Sequence, residues 1–168
     1  MGTSGEKWEK VDHPIHHAMF RGANKLTLDA KGRLAIPTRY HARLAEVCGG
    51  KLVVTIDRDQ CLLIYPFPDW EDLEAKLMKL PSLNVPARRL QRLMVGHATE
   101  LDLDGSGRIL LPPSLREYGL LNRDVMLIGQ GSHFELWDET RWNEWRDAGL
   151  AQADSAADLP AELETLVL

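Results

Sequence analysis

The chain has little cysteine, no long apolar run and no signature of catalysis, and each absence narrows what it can be. Its two cysteines, Cys48 and Cys61, lie in no CxxC spacing. They read as small core residues of a protein kept in a reducing compartment, not as a disulfide scaffold. No apolar run approaches the roughly 18 residues that span a bilayer, and charges stand where a secretory signal needs its apolar stretch. The expectation is a soluble, cytoplasmic protein with no membrane partner. A P-loop, a dinucleotide glycine fingerprint after a strand, an HExxH helix and a Ser or Cys nucleophile signature are all missing, which argues against an enzyme and leaves no cofactor to expect. Basic residues are outnumbered too, 20 against 25 acids for a net charge of −5. That balance argues against a protein that coats nucleic acid indiscriminately, because neutralising phosphates needs clustered Lys and Arg.

What charge there is lies on a gradient. Residues 20–43 carry Arg21, Lys25, Lys31, Arg33, Arg39 and Arg43 against Asp29 alone, whereas residues 135–168 carry nine acids against Arg141 and Arg146. One end can meet phosphate while the other stays in solvent. Residues 1–18 are polar and aperiodic and read as a disordered extension; their His13, His16 and His17 lack the cysteine partners of a structural zinc site. From Met19 onward, KLTLD, the turn AKG and RLAI alternate as a tight hairpin. Pro37 then stands at a helix start, Tyr40, Leu44 and Val47 share a helical face, and Gly49 and Gly50 end that helix. LVVTI and CLLIYP read as strands, and WEDLEAKLMKL as a second helix.

The same order of elements then recurs. LTLDAKGRLAIP at 26–37 aligns without a gap on LDLDGSGRILLP at 101–112, and VVTIDRDQCLLIYPFPDW at 53–70 aligns on VMLIGQGSHFELWDETRW at 125–142. The offset falls from 75 to 72 between these blocks, which places a loss of three residues around the second copy's first helix. The expected organisation is a first half over 19–81, a linking helix over 82–97 bearing Arg88, Arg89 and Arg92, a second half over 98–146 and an acidic tail over 147–168.

The second copy resembles a calcium loop, with Asp102, Asp104, Ser106 and Gly107 at the first, third, fifth and sixth positions. The bidentate twelfth ligand would be residue 113, which is proline, and the first copy puts Lys31 among the ligands. Both facts argue against the metal reading. What the copies share is Asp29–Gly32–Arg33 and Asp104–Gly107–Arg108. At a turn, the Asp side chain caps the backbone, Gly supplies a positive φ, and Arg leaves beside the Asp. Such a ribbon is slim enough for the major groove, where an arginine can bond guanine O6 and N7. Because basic residues surround Arg33 and acids surround Arg108, Lys31 and Arg33 are expected to read DNA, with Arg21, Lys25 and Arg39 on phosphates. Asp29, Gly32, Asp104, Gly107 and Arg108 are expected to be mainly architectural. Trp70, Trp137, Trp142 and Trp145 lie among acids and read as core and interface anchors.

The paired Asp-x-x-x-Arg motifs, with MFRGANKLTLDAKGRLAIPTRY, TIDRDQCLLIYP, RRLQRLMVGHATELDLDGSGRILLP and FELWDETRW, resemble the MraZ family of bacterial regulators, built from two SpoVT-AbrB-like halves. The resemblance implies an α+β fold that is mainly β, a duplicated AbrB-like swapped-hairpin β-barrel with flanking helices. It also implies a ring-like homo-oligomer, an octamer or dodecamer, bound at the nucleoid to double-stranded DNA. The implied target is a set of promoter direct repeats, through which the protein represses its own cell-division and cell-wall operon. The rival reading is an assembly module without DNA binding, against which the basic first copy argues.

Overall fold

Each half begins with a strand, a turn and a second, very short strand, and neither half can bury its apolar alternation alone. In the computed structural model, which describes residues 19–152 and residue 166, the two halves solve this by exchanging strands. The histidines of the N-terminal extension lie outside the described residues. The first half runs β1 (Phe20–Thr27), β2 (Arg33–Ala35), a single helical turn (Thr38–Tyr40), α1 (His41–Cys48), β3 (Lys51–Ile56), β4 (Leu62–Pro66) and α2 (Phe67–Met78). A linking helix α3 (Val85–Met94) leads into β5 (Thr99–Asp102), β6 (Arg108–Leu110), α4 (Pro113–Tyr118), β7 (Asp124–Gly131), β8 (Phe134–Asp138) and α5 (Glu139–Ala151). Local chemistry sets the boundaries. Gly49 takes φ 61° to stop α1, while Asn84 caps α3 by accepting from the Ala87 amide at 3.0 Å. The last helix continues past residue 146, through Ala151, into the segment expected as tail.

The strands form one six-stranded antiparallel sheet, ordered β1-β7-β8-β4-β3-β5, and a separate two-stranded ribbon of β2 and β6. The expected hairpin is therefore a turn without a ladder between its arms: β1 pairs with β7 and β2 with β6, both across the halves. A pseudo-twofold axis runs between Leu34 and Ile109 in the ribbon and between Leu63 and Glu135 in the sheet. The ribbon reaches the sheet edges at the turns, where the Asp29 amide donates to the Arg33 carbonyl at 3.1 Å and the Asp104 amide to the Arg108 carbonyl at 2.9 Å. No ladder closes these strands into a barrel among the described residues.

The main core lies between the sheet and the ribbon, where Leu34 and Ile109 from the ribbon meet Leu52, Val54, Leu127 and Leu136 from the sheet, with Leu44 of α1 and Leu115 of α4 at its flanks. The sheet's other face is covered by α2 and α3 over Val53, Leu63 and Tyr65, and near Ile128 and Trp137 by Trp142 of α5. This two-sided burial corrects the repeat alignment. Leu52 pairs with Leu101 and Pro66, as Val125 pairs with Leu26 and Asp138, so Leu52, not Val53, is the equivalent of Val125. The second copy has lost two residues before β7 and one in the turn of its hairpin. An ungapped alignment slips here by one residue, and one residue in a strand turns a side chain to the opposite face.

Candidate nucleic-acid interface

Each motif begins with an aspartate whose carboxylate organises its own turn. Asp29 Oδ1 accepts from the Lys31 amide at 2.9 Å and the Arg33 amide at 2.8 Å, and Oδ2 accepts from Arg33 Nε at 2.6 Å. The second copy repeats this bond for bond: Asp104 Oδ1 accepts from the Ser106 amide at 2.8 Å and the Arg108 amide at 3.0 Å, and Oδ2 from Arg108 Nε at 3.1 Å. These donors, the Arg33 and Arg108 amides foremost, hold both carboxyls below the usual carboxylate range. Asp104 is thus committed to its turn by three hydrogen bonds. Gly32 and Gly107 close the turns at φ 84° and 73°, each amide donating to the preceding aspartate's carbonyl at 3.0 Å.

Ribbon register decides where the arginines go. Leu34 and Ile109 point into the core, so Arg33, Ala35, Arg108 and Leu110, which alternate with them, stand on the outer face. Arg33 lies opposite Leu110 and Arg108 opposite Ala35, which sets the two arginines diagonally across the ribbon at roughly 8 Å between Cα atoms. Each binds its aspartate through Nε, and the terminal guanidinium nitrogens of both make no hydrogen bond among the described residues. Geometry therefore does not separate the two arginines. Only their surroundings do.

Those surroundings are set by the strand exchange. The short helix after each ribbon strand packs on the other half's turn: the Arg116 guanidinium of α4 lies against Gly32, and the His41 ring of α1 lies against Gly107. Arg116 Nε donates to the Leu111 carbonyl at 3.2 Å, and the His41 imidazole meets the Ile36 carbonyl at 2.6 Å. Arg116 and Arg123 also line, with Asp29 and Ala30, a shallow cleft of about 640 Å³ beside the first turn. The first motif thus gains two arginines from the second half of the chain. Sequence reasoning missed both, since residues 83 and 90 positions from Arg33 carry no local signal; the repeat, read as an exchanged pair, would have placed them.

The remaining expected phosphate contacts do not gather at the ribbon. Arg21 and Lys25 alternate with Phe20 and Leu26, which pack toward the main core. They leave the sheet's other face, where Lys25 pairs with Glu139 at 3.2 Å. Arg39 is held locally: its Nη2 donates to Asn24 Oδ1 and to the Tyr40 hydroxyl, the latter at 2.8 Å, and Tyr40 in turn donates to the Arg21 carbonyl at 2.6 Å. Of the tryptophans, Trp70 and Trp137 are buried, and Trp142 stacks on a half-exposed Trp145 with centroids 5.4 Å apart. As for metals, Asp57, Cys61 and Glu135 bring ligand atoms within 4.8 Å of one another. Burial, followed by the neighbouring carboxylates, raises the Cys61 thiol, and burial raises the Glu135 carboxyl.

Comparison with known proteins bears on this doubled ribbon. Residues 19–93 and again 94–163 match the family described as "MraZ protein, putative antitoxin-like". The chain belongs to the MraZ family. A protein of Thioalkalivibrio sulfidiphilus named transcriptional regulator MraZ is 56% identical over 150 residues, 89% of this chain and 100% of the relative. Relatives of the same name from Halorhodospira halophila and Pseudomonas aeruginosa are 57% and 55% identical, again over 89% of this chain and the whole of each relative. The two MraZ matches divide the chain within α3, between its two motif-bearing halves.

Proposed function

We propose that this MraZ-family chain is a sequence-specific, double-stranded-DNA-binding transcriptional regulator whose ribbon of β2 and β6 enters the major groove. The observation that carries the reading is the pair of outward-facing arginines, each oriented by an aspartate through Nε with its terminal nitrogens left for a guanine edge. Lys31, Arg116 and Arg123 flank Arg33 and take phosphates, so the first motif contributes more than the second. Arg39 supports β1, and Arg21 and Lys25 lie too far round the sheet to join a contact centred on the ribbon. The targets are direct repeats in the promoter of the chain's own cell-division and cell-wall operon, which it represses. A ring-like homo-oligomer, an octamer or dodecamer, presents several ribbons at once and raises affinity through effective concentration.

The test is fluorescence-anisotropy titration of the chain's own upstream DNA at fixed salt. Arg33→Ala is expected to weaken binding by about 1 to 3 kcal/mol per site engaged, and Arg108→Ala by a smaller but measurable amount. Affinity should also fall steeply as salt rises, less so in Arg116→Ala. Binding unaltered in both motif variants, with a flat salt response, would overturn the assignment and leave an assembly module without DNA binding.

A further inference from the structure

On the sheet face away from the ribbon, α3 and the end of α2 border a groove of about 790 Å³ that the DNA reading does not use. Leu80, Leu90 and Leu93 line it with Arg58, Arg89 and Arg92. The groove is preformed. Gln91 Nε2 donates to the Leu77 carbonyl at 2.8 Å and ties α3 to α2, while Thr55 Oγ1 donates to the Met94 carbonyl at 2.5 Å and ties α3 to the sheet. None of the three arginines has an ion-pair partner among the described residues. Exposed apolar surface continues at Met78, which ends α2, at Leu83 of the connection and at Val85, which begins α3, with Leu83 92% exposed. An apolar floor rimmed by unpaired cations marks a protein contact, since scattered surface leucines would not share one trough with three arginines.

The chain carries a segment of complementary chemistry. Residues 153–168 hold Asp154, Asp158, Glu162 and Glu164 and no Lys or Arg. Pro160 suits the first position of a helix, and Leu163 and Leu166 follow it at i and i+3, the anchor spacing of a helix laid in an apolar groove. Leu166 is 54% exposed in the single chain, so its apolar surface is not covered there.

We propose that this groove binds the acidic, leucine-bearing segment 153–168 of a second copy of the chain, linking copies head to tail. The leucines fill the floor, and Glu162 and Glu164 face Arg89 and Arg92. A contact of this kind joins two different surfaces, so it propagates from copy to copy until rotation closes it.

Charge reversal in the full chain tests it by sedimentation velocity, with far-UV circular dichroism to confirm folding. R89E/R92E and E162K/E164K, each alone, should raise the concentration at which the assembly half-dissociates by about tenfold or more, as attraction becomes repulsion at two rim pairs. An equimolar mixture of the two variants should restore the wild-type mass, because each groove then meets an oppositely charged segment only on another copy. Unchanged mass in both single-site variants overturns the proposal. So does restoration only when all four changes share one chain, which would assign the groove to the copy's own segment. Loss of DNA affinity with assembly intact would assign it to phosphate instead.

Discussion

A carboxylate that accepts three hydrogen bonds within one turn fixes the direction of the arginine it holds, and Asp29 and Asp104 both do this. The glycines at the turns add a second constraint, because their positive φ disfavours any side chain and their missing Cβ atoms leave room for a neighbour. The neighbours differ. At Gly32 the nearest atoms belong to the end of the flexible Arg116 side chain, 2.5 Å from where a Cβ would stand, whereas at Gly107 they belong to the His41 ring, pinned to the Ile36 carbonyl. Gly49, at φ 61°, has nothing within 4 Å of that position. Urea denaturation should therefore rank three substitutions. Gly49→Ala is expected to destabilise by about 1 to 2 kcal/mol for backbone conformation alone, with Gly32→Ala somewhat above it, because the flexible Arg116 can swing aside only by giving up its bond to the Leu111 carbonyl. Gly107→Ala is expected to exceed both. Gly32→Ala should instead show itself in DNA affinity, having displaced Arg116.

At the level of elements, the ribbon is the weakest construction in the fold by length, with three residues in each strand. Three ladder positions cannot hold two strands in water. The ribbon persists because Leu34 and Ile109 bury fully against the sheet, and this burial also forces Arg33 and Arg108 outward. Leu34→Ala is expected to cost about 2 to 5 kcal/mol, the range for a core truncation that leaves a cavity. Ala35→Ser, on the outer face one residue away, should stay within about 0.5 kcal/mol. Equal loss in both variants, measured as denaturation midpoints at constant slope, would mean that the ribbon is not anchored through this face. The tight turn and the helices were readable from turn chemistry and apolar spacing. The pairing partner of β1 was not, since a strand with apolar alternation fits any edge of matching pattern.

For the molecule as a whole, joining the halves by exchange means that unfolding one half strips the other of its partners, so the chain should lose structure in a single transition. One half-buried base, His133, makes that transition depend on pH. His133 stacks on Tyr65 with centroids 4.5 Å apart, and burial lowers its pKa from the ordinary 6.5. The unfolded chain then binds a proton that the folded one refuses. Stability is expected to hold above about pH 6.5 and to fall as pH drops from there toward the folded value. Glu135, raised from 4.5 by burial, acts with the opposite sign at lower pH. Urea midpoints taken between about pH 7.5 and 6 should decline in the wild type and flatten in His133→Gln. An undiminished slope in that variant would place the dependence on another group.

The duplication, the two turn motifs and the charge bias toward the first copy follow from the sequence by itself, because each is written in residues close together along the chain. Which strand pairs with which, on which face Arg21 and Lys25 emerge, and that Arg116 and Arg123 join Arg33 instead of Arg108 are decided only in three dimensions. The physical reason is one and the same: short amphipathic strands bury their apolar faces wherever a complementary surface offers itself. Here that surface belongs to the other half of the chain.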